Sequence, residues 1–438
     1  MDERMRREGS LSVNTDRVFL HVATSFVENT AIGLGLDKPQ ALSLTLATEE
    51  IFEYLCEIAS PEKAVHIRCR SGGYYVQVEF VFFVESFDLH AFNLTAGGSI
   101  DVETNPDEMR LLIASRAVDR FELNEDKDQG LCLLLVKEKA YPALTDEPVP
   151  PARPLKEFSV RDAGPEELKI FSQLTDFYYQ RQITPTFLQY PGKLVDMVKG
   201  GHYQTALAVD TEGHVGGGIV WHWRNARIVE GFGPYVFNQP TQTAMAGRLV
   251  EACLGAIART PAMGLLVQYP THDLPKAYFE PLGHIQVYRE NESKVVLNAY
   301  FRQMHEDAGA AVWSHPDLQR FLQKAYDELA LPREIRLMKH QGEFRSRHSV
   351  LATRFDLAHN RVDLRPIRPG MDLHENVVKH LKLLAQEGVR NIFFVMDLAV
   401  SWQAHFTPSL LQNGLEPKMV LPYAGKGDEV VFQLKGPS

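Results

Sequence analysis

"ALAVDTEGHVGGGIVW", residues 206–221, decides how the larger part of this chain is read. Two apolar runs flank the polar turn Thr211-Glu212-Gly213-His214, so the stretch reads as a β-hairpin. Upstream, "EFSVRDA" (157–163) is a strand. A helix follows it, with Pro165 in its first turn and Leu168, Phe171, Leu174 and Tyr178 at helical spacing. Downstream come the strand "ARIVEGFGPYV" (226–236), the helix "TQTAMAGRLVEACLGAIART" (241–260) and the strand "GLLVQYP" (264–270). "HDLPKAYFEPLGH" (272–284) reads as a helix ending at Gly283.

A proline-dense stretch, "TDEPVPPARPLKE" (145–157), excludes helix or inner strand and reads as a linker over 146–155. Residues 1–145 before it read helix, helix, strand, strand, helix, strand: an α+β sandwich with helices on one face of a mostly antiparallel sheet. Beyond 156–290, residues 291–345 are expected to be a helical connection, with a helix from Pro316 to Leu331 capped by Ser314. Residues 346–438 finish as hairpin, helix 372–388, strand 391–399, helix 405–414 and strand 428–435. The order strand, loop, helix, strand occurs both at 264–288 and at 391–420, which suggests two related half-domains.

Of 438 residues, 45% are hydrophobic and 23% charged, the balance of a globular chain of several domains. A net charge of −10 leaves no basic field for nucleic acid. "MDERMRREGS" has no apolar core after its charges, and no run reaches the ~20 apolar residues of a membrane span, so a cytoplasmic protein is expected. Cys56, Cys69, Cys132 and Cys253 show no CxxC spacing, and "WHW" (221–223) and "HENVVKH" (374–380) lack the HExxH pattern; no metal site is expected.

The first unit resembles the kinase-like ATPase fold of bacterial anti-sigma factors over residues 12 to 140, through "LSLTLATEEIFEYL", "RLLIASRAVDRFEL" and "GLCLLLVKEK". The resemblance puts Glu50 at the position of the catalytic base, but Tyr54 where a metal-binding asparagine belongs. It also puts Phe82 and Val84 in the adenine-pocket strand, and the glycine-free "DEMRLL" in the lid. Phosphates need exposed backbone N–H groups and a cation, so ATP and Mg are not expected here. The resemblance implies a protein partner, a sigma-factor or anti-anti-sigma-like regulator, and a homodimer.

The second unit, from "FSVRDAGPEEL" to "KAYFEPLGH", resembles a GNAT N-acyltransferase. That resemblance implies acetyl-CoA held by Val236 and by "QTAMAGRL", with Gln242, Ala244, Met245, Ala246 and Gly247 around the phosphates. Met245 stands where the family has a glycine and is expected to crowd them. Glu230 takes the role of base and Tyr278 that of acid, one position before the family's tyrosine, which here is Phe279. The aromatic segments 177–180 and 187–191 fall at the acceptor wall, and Asp397 ends a strand where α/β ligands bind. Residues 346–438 look like a second, shortened GNAT half with a structural role. The expectation is a regulatory protein: a degenerate ATPase-fold module for partner recognition joined to a tandem GNAT-like α/β module that binds acyl-CoA. An active N-acetyltransferase is the alternative, and a serine kinase using Glu50 the third.

Overall fold

The computed structural model describes residues 7–82, 93, 106–126, 130–144, 151–179, 184–240, 244–288, 293–338, 346–356 and 359–436. Two compact units emerge, and they interleave along the chain. The first takes residues 1–141, 345–353 and 367–383, the second 142–344, 354–366 and 384–438.

In the first unit, β1 (Glu8–Asn14), β2 (Ala64–Ser71), β3 (Tyr75–Phe82), β4 (Arg120–Asp126) and β5 (Gly130–Glu138) form an antiparallel sheet in the order β1-β2-β3-β5-β4. Strands β1 and β4 were not anticipated; the end of the expected helix 107–123 is β4. Helices α1 (Leu20–Gly33), α2 (Lys38–Ile58) and α3 (Pro106–Ala117) supply the second layer. Asp37 caps α2 by accepting the Gln40 N–H at 3.1 Å. From α2, Leu44, Ala47, Ile51, Tyr54 and Leu55 share one core with Val65, Ile67, Val78 and Phe80 of the sheet. The later segments are tied in by a buried polar knot, in which Asn93 and Asn376 both donate to the Ser349 carbonyl, at 2.8 and 3.0 Å.

The second unit is built on one long sheet. Its strands are β6 (Ser159–Arg161), β7 (Tyr203–Val209), β8 (Val215–Trp223), β9 (Ile228–Val236), β10 (Gly264–Val267), β11 (Glu280–Tyr288) and β12 (Lys294–Gln303). After a small parallel pair, β13 (Ala310–Ser314) with β14 (Arg333–Leu337), come β15 (Val350–Asp356), β16 (Arg361–Arg368), β17 (Asn391–Asp397), β18 (Leu415–Leu421) and β19 (Glu429–Leu434). The order is β15-β16-β17-β19-β18-β11-β12-β10-β9-β8-β7-β6. Of β15 and β16, the second unit itself gives residues 354–356 and 361–366. One rule is applied twice: β9 pairs parallel with β10, and β12 inserts antiparallel between β10 and β11. Likewise β16 pairs parallel with β17, and β19 inserts between β17 and β18. The suspected repeat is therefore present as topology.

Where the halves meet, Gly283 of β11 lies opposite Met419 of β18 at φ +135°. A Cβ there would come within 2.5 Å of the Lys418 carbonyl oxygen, so this glycine closes a seam rather than ending a helix. The expected helix 272–284 is a single 3-10 turn, Lys276–Tyr278, leading into β11. The expected helical connection contains β12, β13 and β14 besides one helix, Pro316–Leu329, and His315, not Ser314, caps that helix by accepting the Asp317 N–H. The part of the proline-rich segment that is described is pinned. Ala152 is buried, its N–H donating to the Tyr178 hydroxyl at 3.2 Å and its carbonyl accepting from Asn238 at 2.6 Å.

The second unit also buries an ionic knot, in which the Arg333 side chain, 1% exposed, bonds Asp428 at 2.7 Å and also Asp307. Removing one partner from such a site strands a charge. Asp428→Ala is expected to lower the unfolding free energy by about 3–5 kcal/mol, read as a fall in the urea midpoint; a loss within the range of surface pairs would show the knot to be hydrated.

Candidate active site

Parallel pairing between β9 and β10 is short. Gly264, Leu265 and Leu266 lie opposite Ile228, Val229 and Glu230, and the pairing stops there. Strand β9 runs on to Val236, held along its other edge by β8 through Val236 opposite Gly217. Beyond Glu230 the described residues form no further β9–β10 pair, and this end of the pairing is the candidate site.

Helix α6 (Met245–Ile257) covers one face of this region. Its Met245, Leu249, Val250 and Cys253 share a core with Val229, Leu265, Val267 and Tyr300. It lies close because β8 is bare: a Cβ on Gly216 would come within 2.9 Å of the Met245 methyl, and one on Gly217 within 3.2 Å of its sulfur. On the other face, a Cβ on Gly218 would strike Phe171 of α4 (Pro165–Tyr178) at 2.7 Å. Among the described residues, no side chain caps the start of α6 at Ala244. Its first N–H groups therefore have no intrahelical acceptor. Ala244 is exposed, Ala246 and Gly247 are half-buried, and a Cβ on Gly247 would meet nothing within 4 Å. Met245 is fully buried. It does not crowd a phosphate as expected; it anchors the helix. Gln242 lies outside the described residues.

Side chains alternate along a strand, so Glu230 emerges on the face away from α6. His222 lies opposite it in register, with Nε2 3.5 Å from the Glu230 carboxylate and Nδ1 3.2 Å from the Trp223 carbonyl. The imidazole stacks with Tyr203 at 4.7 Å and with Phe232 at 5.7 Å, and Phe187 packs on both of these rings. Arg224 Nη1 stands 3.7 Å from Glu230. Burial pushes the Glu230 carboxyl up, but the His222 hydrogen bond and the charges of Arg224, His222 and Arg354 outweigh it. The net position is below the usual carboxylate value. Glu230 is thus a fixed negative charge, 13% exposed, beside an aromatic wall. A carboxylate that acidic is a weak base for an ammonium, and a strong attractor for one.

The edge of β9 beyond Glu230 is already satisfied. The Val236 N–H donates to the Tyr179 hydroxyl at 2.7 Å, and that hydroxyl in turn bonds Asp273. Thr271 donates to the Pro234 carbonyl. The aromatic segments named from sequence form this wall: Tyr179 packs edge-on to Tyr235, Tyr178 against Phe237, and Phe187 against Phe232.

Tyr278 is not brought to Glu230. It packs on the α6 side, donating to Glu251 of that helix at 2.7 Å, and this bond raises its pKa above the ordinary phenol value. Asp397 takes the N–H groups of Ala399, Lys426 and Gly427, so it closes a loop. In the first unit, Glu50 lies 3.8 Å from Arg110, and Arg17 and Arg110 together bridge Glu53 and Glu57. Desolvation chiefly, offset by Arg110, raises the Glu50 carboxyl. Tyr54 is buried in the core, and the stretch read as a lid is helix α3; Val84 lies outside the described residues. Sequence reading missed His222 and Arg224 as site residues, while Tyr179 lies in the aromatic segment 177–180 that it named. "WHW" carried the only signal, the alternation that puts His222 on one face, and the register that sets it against Glu230 is a long-range fact.

About a third of the chain matches solved GNAT acetyltransferases. A GNAT-superfamily phosphinothricin acetyltransferase from Sinorhizobium meliloti, in complex with acetyl-CoA, is 16% identical, with 34% of this chain and 90% of that one covered at a TM-score of 0.28. An N-acetyltransferase from Staphylococcus aureus Mu50 is 8% identical, covering 34% and 98% at a TM-score of 0.27. The GNAT protein YhbS from Escherichia coli, in complex with CoA, is 14% identical, covering 26% and 64% at 0.22. No family model and no curated protein matches. No helix among the described residues is long and apolar enough to cross a membrane.

Met245 separates the packing role from the crowding role. Met245→Ala is expected to destabilise the second unit by about 2–5 kcal/mol, and Met245→Gly to lose stability with no gain in acetyl-CoA affinity, measured by urea unfolding and calorimetry. Tighter binding by the glycine variant would restore the crowding view.

Proposed function

We propose that the second unit binds an acyl-CoA where the β9–β10 pairing ends and presents it to an amine on the Glu230 face. The observation that carries this reading is the end of parallel pairing at Glu230 together with, toward the Val236 end of β9, a helix start that no side chain of the described residues caps. Anions favour such a start, where free N–H groups and the helix dipole converge, and Arg248 one turn in adds a cation. Ala244, Ala246 and Gly247 would seat the phosphates, and the edge of β9 as far as Val236 would take the amide-bearing arm in place of the Tyr179 hydroxyl. Bound acyl-CoA supplies the activated acyl group. On the opposite face, Glu230 draws in a cationic amine, His222 stands within reach of its proton, and Tyr203 and Phe232 restrict water. The phenol first assigned as acid, Tyr278, has no part in this arrangement.

The first unit we read as a recognition module for a protein partner. What supports this is that Glu50, Glu53 and Glu57 are engaged by Arg17 and Arg110 and Tyr54 is committed to the core.

Acetyl-CoA titrated into the full chain is expected to raise the second unit's melting transition, while Mg-ATP leaves both transitions unmoved. At about 100 times the dissociation constant the gain is roughly 2.7 kcal/mol. No shift with acetyl-CoA would sink the proposal. Tyr179→Phe, which frees the Val236 edge, is expected to tighten acetyl-CoA binding by up to about tenfold, the worth of one net hydrogen bond; weaker binding would mean that the hydroxyl is part of the seat rather than its occupant.

A further inference from the structure

Resting on the acceptor-side reading above, we propose that the C-terminal half of the second unit is part of the working site, with Glu429 a positioning residue that acts on Glu230 through Arg224. Arg224 stands just past β8, and three of its nitrogens are committed. Nε donates to the Ala424 carbonyl at 3.3 Å, Nη2 to Glu429 at 2.9 Å, and Nη1 lies 3.7 Å from Glu230. Two of the three partners come from the C-terminal half; Glu429 is 205 residues away in sequence. Asn225 reinforces the link. Its amide donates to the Tyr423 carbonyl at 2.8 Å while its oxygen accepts from Arg227 and Ile228, tying the turn into β9 to the same distant loop.

Glu429, 3% exposed, is held from two sides, by Arg224 and by a two-pronged contact with Arg365. Burial raises its carboxyl, but Arg224 and Arg365 outweigh that and leave it below the usual carboxylate value. A rigid guanidinium can serve two carboxylates at once. Glu429 therefore fixes the plane of Arg224, and Arg224 carries that order to Glu230. His222, Tyr269 and Arg354 also face Glu230; Asp397 lies opposite Glu429 in register, with its own oxygens on backbone N–H groups. Among the described residues, Arg224 is the cation that contacts both carboxylates.

The sign is fixed by linkage. Glu230 is depressed in the folded state, so it contributes stability above the unfolded carboxylate value, and that contribution is lost as pH falls through the folded value. Without the Glu429 charge a like charge is gone and Arg224 is left to Glu230 alone, so the folded value falls further, the contribution grows, and it persists to lower pH.

The test is urea unfolding of the full chain from pH 7 to pH 4 for the wild type, Glu230→Gln, Glu429→Gln and the double variant. In the Glu429→Gln background, the loss caused by Glu230→Gln at pH 7 is expected to be larger and to persist to lower pH, by about one pH unit, the shift expected when a shared opposite charge is left to one carboxylate. Equal losses with equal pH dependence in both backgrounds would overturn the proposal and leave Glu429 a local tie. CoA release from acetyl-CoA with ethanolamine as the probe amine gives the second readout: the acid limb of the rate profile should move down in Glu429→Gln. A uniform loss of rate with the limb unmoved overturns the positioning role. Should Glu429→Gln not fold, Arg224→Lys replaces it, because lysine keeps the charge but cannot hold both carboxylates; an unmoved limb again overturns. Calorimetry of the wild type with acetyl-CoA stands apart: absent binding refutes the acyl-CoA reading, while the unfolding cycle still decides the coupling.

Discussion

The close approach of helices to the bare strand Gly216–Gly218 is the constraint from which the candidate site follows. With no Cβ on β8, Met245 can sink onto one face and Phe171 onto the other. Once Met245 is buried, the start of α6 is fixed against β8, opposite the Val236 end of β9. A larger residue in the strip would lift the helix and move that start. The glycines do not act through backbone freedom here; they act through what they leave out.

Much of this fold is legible in the chain. The hairpin around Gly213, the helix after Pro165 and the alternation of β8 and β9 all follow from local pattern, and the strands of the two suspected copies, 264–288 and 391–420, fall where the topology doubles, although only the second copy holds an α-helix. The failures share a cause. "KAYFEPLGH" has helical composition, yet Gly283 is required by the seam with Lys418 and Met419, a neighbour more than a hundred residues on. Residues 120–126 look like the end of an amphipathic helix and become β4, because β5 offers an edge. At the site, Glu230 and Gly247 could be named from sequence. His222, Arg224 and Glu429 could not, since register and sheet curvature bring them together.

Two acidic positions singled out from sequence show how surroundings decide chemistry. Glu50 and Glu230 both face an arginine, but for Glu50 desolvation and the neighbouring Glu49 and Glu53 prevail, whereas for Glu230 a histidine and two arginines prevail. One carboxyl is raised and the other lowered. A raised carboxyl amid neutralised neighbours suits a helix surface held by ion pairs. A lowered one, nearly enclosed by aromatic rings, suits the attraction of a cation. Residue type and helix or strand position alone would have ranked them the other way.

The edge of β9 beyond Glu230 poses the last physical question. Backbone groups away from water must find partners, so a strand that leaves its neighbour cannot simply expose an empty edge inside a packed unit. The chain answers with Tyr179, whose hydroxyl both receives the Val236 N–H and reaches Asp273. Any ligand amide taking that edge replaces an existing bond instead of making a new one, so affinity there is a difference between two satisfied states. That arrangement favours a ligand with several simultaneous contacts, phosphates at α6 and amides along β9, over a small fragment offering only one.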